Sequence, residues 1–211
     1  MPVRDVVSKV VSHPRVFEIQ TSLLGGHRLD ETIRPTALHA TGGRTCGTVL
    51  DVGGGTASGH ALWPEGWTYI SVDPDRRVVE FDKSGGAIRR LVGDATKLPF
   101  PDDAIDVVFM KGVSHHLEDT TWSKALVEVR RILKPDGYFL FVDGVWTPRR
   151  VISRLGWTLD AGRFPRKPER LEAEIAQSFE VESVQRLTLL HLTVILTARP
   201  LSASRLDHAA Y

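Results

Sequence analysis

The sequence predicts an α/β fold with a mostly parallel sheet, helices on both of its faces, and an antiparallel addition at the C-terminal end. Three observations carry this. After Gly47, short β-branched runs alternate with helical patterns, as strands joined by crossover helices require. A run of three glycines, Gly53 to Gly55, comes directly after the first of these strands. Near the end, 179–187 and 190–199 are two β-rich runs with almost nothing between them, which suits a hairpin and leaves no room for a parallel crossover.

Taken in order, residues 1–44 read as two or three short helices broken at Pro14, Pro35 and the Gly25-Gly26 and Gly42-Gly43 pairs, forming an N-terminal cap segment. Residues 48–52, 67–72 and 104–109 read as strands. Residues 57–62, 75–82 and 120–133 read as helices, the last with Ala125, Val129, Ile132 and Leu133 on one apolar face. Lys134-Pro135-Asp136-Gly137 is expected to stop that helix in a turn before a strand at 138–142. Residues 144–178 form an insert before the hairpin, 45–200 make one domain, and 201–211 a tail.

Composition sets limits. The chain has 211 residues, 42% hydrophobic and 25% charged, enough for one well-buried domain. Its 27 Lys and Arg balance 26 Asp and Glu, so it lacks the positive excess of a protein that coats nucleic acid, and no DNA partner is expected. One cysteine, Cys46, can build neither an intramolecular disulfide nor a multi-cysteine metal site. Charges interrupt the apolar residues of the N-terminus, so no secretory signal is expected, and no stretch approaches the roughly 18 apolar residues of a membrane span. A reducing cytoplasm, with at most peripheral membrane contact, is the expected setting.

The chemistry concentrates after the first strand. Asp51-Val52-Gly53-Gly54-Gly55-Thr56-Ala57 joins a buried strand to a helix through a loop whose backbone a ligand can approach closely. Eighteen places after Gly55, Asp73 and Pro74 end the next strand with an acid suited to ribose hydroxyls. That spacing fits either NAD or S-adenosylmethionine, since both carry an adenosine. Ala57 stands where a third dinucleotide glycine would fall.

Further along the chain lie Gly93-Asp94-Ala95-Thr96-Lys97-Leu98-Pro99-Phe100, Asp106-Val107-Val108-Phe109, His115-His116-Leu117 and Arg131-Ile132-Leu133-Lys134-Pro135-Asp136-Gly137. Together with the glycine loop and Asp73, these motifs resemble a class I S-adenosylmethionine-dependent methyltransferase of the type 11-like branch that includes ubiquinone and menaquinone biosynthesis enzymes. The resemblance covers about 45–143. It implies a Rossmann-like, seven-stranded sheet with S-adenosylmethionine across the carboxyl ends of the strands. Gly53, Gly54 and Gly55 would admit the cofactor to the backbone, Asp51 would meet its amino group, and Asp73 with Pro74 would flank the ribose. Asp94 and the N–H of Ala95 would meet the adenine, and Lys111 and Gly112 would floor the methionine side. Simpler roles stay open for three of these: Asp51 bracing its loop, Asp73 capping the next helix, and Asp94 making a turn.

On the acceptor side, His115 and His116 are the candidate bases for an acceptor that must shed a proton; no metal is required. His115, nearer the strand end, is the first choice. The residues after the fourth strand, Lys111-Gly112-Val113-Ser114, lack the Asn/Asp-Pro-Pro-aromatic loop that similar enzymes use on planar amino groups. Between 149 and 170, Arg149, Arg150, Arg154, Arg163, Arg166, Lys167 and Arg170 face only Asp160 and Glu169, which reads as an anion-binding surface or as a solvated face. Trp146, Trp157 and Phe164 interleave with them and can wall an apolar pocket or pack on the sheet; His191 reads as structural.

The function expected is methyl transfer from S-adenosylmethionine, yielding S-adenosylhomocysteine, to oxygen or carbon of a small molecule, by a monomer or homodimer. Two readings compete with it: an S-adenosylmethionine-binding regulatory or assembly protein without transferase activity, and an RNA- or protein-directed methyltransferase using the basic insert.

Overall fold

A computed structural model describes residues 26–81, 88–147, 157, 162–189 and 191–202. Seven strands form one sheet: β1 (Gly47–Val52), β2 (Trp67–Asp73), β3 (Arg89–Val92), β4 (Ile105–Lys111), β5 (Leu133–Val145), β6 (Phe179–Thr188) and β7 (Leu192–Pro200). Their order is β3-β2-β1-β4-β5-β7-β6. Pairs β1–β2, β1–β4, β2–β3 and β4–β5 are parallel, whereas β7 runs antiparallel to both β5 and β6. The expected α/β class and C-terminal hairpin are both present. The order reverses between β2 and β4 on either side of β1, which opens a crevice at the carboxyl ends of these strands.

Side-chain alternation along the strands divides the interior in two. Leu50, Val108, Met110, Phe139 and Phe141 face one core with Trp122, Leu126 and Val129 of helix α3 (Asp119–Ile132) and Leu171 and Ile175 of helix α4 (Pro168–Ala176). Val49, Val107, Phe109, Tyr138 and Leu140 face the other, with Ile33, Ala37 and Ala40 of helix α1 (Gly26–Ala40). Both sheet faces are thus covered, as a parallel sheet requires. A short helix α2 (Arg76–Glu80) comes after β2, its first turn capped by the Asp75 carboxylate, which accepts from the N–H of Arg77 at 2.9 Å.

Three local expectations change, and one strand, β3, was not anticipated. Pro35 lies inside α1 and does not break it, because Ile33, Ala37 and Ala40 present a continuous apolar face that the sheet buries. Residues 58–62 form a 3-10 turn (Ser58–Leu62), entered through Ala57 in the left-handed region at φ 61°. β3 is short and largely exposed, which is why no apolar pattern marks it. Lys134–Gly137 does not separate helix from strand: α3 ends at Ile132, β5 starts at Leu133, and the motif bulges out opposite Asp106. Asp106 is 5% exposed, and its carboxylate accepts from Lys134 Nζ at 2.8 Å, Arg44 Nη1 at 2.9 Å and the Thr48 N–H at 2.9 Å. This cluster ties the bulge to the amino end of β1. Residues 1–25, and 148–156 and 158–161 of the basic insert, lie outside the described residues.

Trp122 is fully buried and packs against Phe141 at 5.6 Å between ring centroids, with the Arg166 guanidinium over its ring. Trp122→Ala is expected to cost about 3–5 kcal/mol, read as a lowered denaturant midpoint.

Candidate active site

The glycine loop hangs from β2. The N–H groups of Gly53 and Gly54 donate to the Val72 carbonyl at 2.7 and 3.3 Å, and the N–H of Gly55 donates to the Asp73 carboxylate at 3.0 Å. Gly53 has φ 72°, and a Cβ there would lie 2.5 Å from Val113, so the loop also seats on the segment after β4. Gly55 has φ 53° and, among the described residues, nothing within 4 Å of where a Cβ would stand, so none of them blocks a ligand from its backbone. The other Asp73 oxygen accepts from the Asp75 N–H at 2.8 Å, and partial burial raises the pKa of Asp73.

Asp51 lies beneath this loop. It is 3% exposed and accepts a hydrogen bond from the Tyr69 hydroxyl; a Cβ on Gly54 would stand 2.7 Å from its Oδ2. Burial pushes the Asp51 pKa up to about 6, offset in part by Tyr69 and Lys111, and raises that of Tyr69 well above its ordinary value. Asp51 thus lies against Gly54 while its hydrogen bond goes to Tyr69 of β2. Lys111, at the end of β4, pairs with Asp30 of α1 at 3.1 Å, and Gly112 turns away at φ 71°.

Two further placements concern the loop after β3. Asp94 is exposed and accepts from both the N–H and the hydroxyl of Thr96 at 2.8 Å, holding a tight turn that lowers its pKa, with Ala95 half-buried beside it. Arg131 pins this loop to α3 through Glu128, Asp102 and the carbonyls of Leu98 and Phe100. Arg90 is a site residue that sequence reasoning missed. Its guanidinium donates to the carbonyls of Gly55 at 2.6 Å, Val78 at 2.5 Å and Phe81 at 3.0 Å, joining the glycine loop to α2. Nothing in the local sequence distinguishes Arg90 from its neighbour Arg89.

Across the crevice, His115 is 8% exposed and its Nδ1 lies 2.6 Å from Oδ1 of Asp143, a fully buried residue near the end of β5. Asp143 was also missed, although an acid closing the apolar run 138–142 is a readable signal of a group at the carboxyl edge. His116 is exposed, with its ring 4.2 Å from that of His115. Trp157 meets His115 edge-on at 5.3 Å and lies 4.3 Å from His191, so the histidine read as structural belongs to the same aromatic cluster.

The basic insert is less available than its charge count implies. Arg166 is 4% exposed, donating to the carbonyls of Ser114 and Leu117 and pairing with Asp119 and Glu174. Arg170 pairs with the same two acids. Of the described members, Arg163, Lys167 and the paired Arg170 are exposed, as is Phe164, while Trp146 is half-buried; Arg149, Arg150 and Arg154 lie outside the described residues.

Residues 50–141 match a family described as "Methyltransferase domain". The chain is 39% identical over 104 residues to the "Uncharacterized methyltransferase YcgJ" of Bacillus subtilis, a match covering 45% of this chain and 40% of that one. It is 31% identical over 157 residues to the "Ubiquinone/menaquinone biosynthesis C-methyltransferase UbiE" of Laribacter hongkongensis, covering 66% and 60%. The chain thus spans about half the length of these relatives. The fold is also that of the PH0226 protein from Pyrococcus horikoshii, at a TM-score of 0.69 and 20% identity over 88% of this chain and 92% of that one.

The Asp51 environment has a measurable sign. Between its ordinary value of 3.8 and about 6, the folded protein holds a proton that the unfolded chain has released, so Asp51 lowers stability as pH rises through that window. From pH 4 to pH 8, the stability difference between Asp51→Asn and the unsubstituted protein is expected to move in the variant's favour by about 2 kcal/mol, read from urea unfolding at each pH.

Proposed function

We propose that the chain, whose residues 50–141 match the methyltransferase domain family, is an S-adenosylmethionine-dependent methyltransferase acting on a small molecule. The observation that carries the cofactor reading is the link between Asp73 and Gly55: an acid at the end of β2 bound to a glycine loop whose open side has room for a ligand. Asp73, with Pro74 beside it, meets the ribose hydroxyls. Gly53, Gly54 and Gly55 supply close backbone, Asp94 and Ala95 border the adenine, and Lys111 and Gly112 close the methionine side. Asp51, already beneath the loop, acts on the amino group through its negative charge.

When bound, S-adenosylmethionine supplies a methyl group on a sulfonium centre. The chain's contribution is to hold the acceptor in line with that group and to remove its proton. His115 is the base, with His116 at the rim. An acceptor that must lose a proton is a phenol, an enol or a hydroxyl, methylated on oxygen or, through an enol, on carbon. The C-methyltransferase named among the relatives is compatible with that class, and the absence of an Asn/Asp-Pro-Pro-aromatic segment after β4 disfavours planar amino acceptors.

Calorimetry with S-adenosylmethionine and S-adenosylhomocysteine tests the cofactor reading, and tight NAD binding with neither of these would overturn it. Asp73→Ala removes charge-assisted hydrogen bonds and should weaken S-adenosylhomocysteine binding roughly 10- to 100-fold. With a panel of phenols and 1,3-diketones as acceptors, His115→Ala should lower turnover while leaving S-adenosylhomocysteine affinity within a few-fold. Cofactor binding without turnover on any acceptor would favour a binding protein.

A further inference from the structure

The buried carboxylate of Asp143 has its hydrogen-bonding capacity filled from one side. Oδ2 accepts from the Ser114 hydroxyl at 2.6 Å, the Ser114 N–H at 2.8 Å and the His115 N–H at 3.3 Å, and Oδ1 lies 2.6 Å from His115 Nδ1. A carboxylate in this setting accepts only, so the imidazole must be the donor: the proton of the Nδ1–Oδ1 contact sits on Nδ1. In the neutral ring the lone pair is then on Nε2. Burial works against the charge on Asp143, but His115 and Ser114 outweigh it and hold its pKa below the ordinary range.

The surroundings fix the ring as well as its proton. The N–H of Phe164 donates to the His115 carbonyl at 2.9 Å, and Arg166 Nη1 donates to the Ser114 carbonyl at 2.7 Å. Val113, one residue before Ser114, packs on Gly53, and the position of a Cβ on Gly112 lies 3.9 Å from His115 Cε1. The segment that carries the imidazole is therefore built onto the glycine loop on one side and onto β5 on the other. Among the described residues, the charged or titratable groups facing it include Asp143 from β5, Arg166 behind Ser114, His116 alongside, and His191 across Trp157.

We propose that Asp143 is a positioning residue that holds His115 as the Nδ1–H tautomer and raises its basicity, so that Nε2 takes the proton of a hydroxyl, phenol or enol acceptor. The assignment of a role to Nε2 rests on the methyltransferase reading above; the tautomer does not. As Nε2 takes that proton the imidazolium is stabilised by the Asp143 carboxylate, which stays ionised, and the proton then passes from Nε2 to solvent. Ser114 supports the pair by holding the second carboxylate oxygen.

The test needs no acceptor. Long-range 1H–15N correlation on the full chain, with His115 identified by the signals lost in His115→Gln, should show Nδ1 protonated and Nε2 bare above the titration midpoint. Asp143→Asn should lower that midpoint by about one to three pH units, and Ser114→Ala should lower it less while keeping the tautomer. An Nε2–H tautomer in the unsubstituted protein, or a midpoint unmoved in Asp143→Asn, would overturn the proposal. Should Asp143→Asn not fold, the tautomer of the unsubstituted protein and the Ser114→Ala midpoint decide. Calorimetry with S-adenosylhomocysteine separates the two readings: absent binding with an Nδ1–H tautomer sinks the methyltransferase reading alone, whereas normal binding with an Nε2–H tautomer sinks the dyad alone.

Discussion

The parallel pairing of β1 with β2 on one side and β4 on the other is the constraint on which the rest depends. It aligns the carboxyl ends of three strands, so Val52, Asp73 and Lys111 finish at one edge. Because the chain leaves β1 toward β2 and returns to β4, no crossover covers that edge between them. The glycine loop then has only one place to go. Its amides turn back onto Val72 and Asp73, and its other side meets Val113, so a single loop touches the carboxyl ends of both neighbouring strands.

Three buried aspartates show how differently one residue type is accommodated. Asp106 has two cations and a backbone amide, and it serves the bulge at the far end of the sheet. Asp143 has backbone and side-chain donors and an imidazole. Asp51 has a phenol and a more distant lysine, and its proton affinity rises accordingly. A buried carboxylate with so little compensation costs stability, and its retention under the glycine loop is consistent with a site organised around a cation it does not itself contain.

Much of this was legible in the sequence because it is local. Alternation, the glycine run and the closeness of the last two strands are periodicity and spacing, and they specify the sheet and its hairpin. The departures came where tertiary contacts outweighed local preference. Pro35 is tolerated because α1 is held by its buried face, and Lys134–Gly137 bulges because Asp106 gathers Arg44 and Lys134 from separate segments. Within the site, Asp51, Gly53–Gly55 and Asp73 could be named from motif spacing. Arg90 could not, and Asp143 could be placed at the carboxyl edge but not paired with His115, since their partners are 35 and 28 residues away and only strand register brings them together. The charge of the basic insert misleads for the same reason: Asp119, which takes up both Arg166 and Arg170, belongs to another part of the sequence.

The placement of β7 has a consequence for how the chain is made. β7 lies between β5 and β6, so the edge of β5, with Phe139, Leu140 and Phe141, has no partner until residues 192–200 have been synthesised. Everything from α1 to β5 can assemble on the ribosome, but it does so with one apolar edge open, and β6, emerging first, must wait for the later strand to separate it from β5. The short connection between β6 and β7 shortens that wait, because the hairpin can close on itself and dock as a unit.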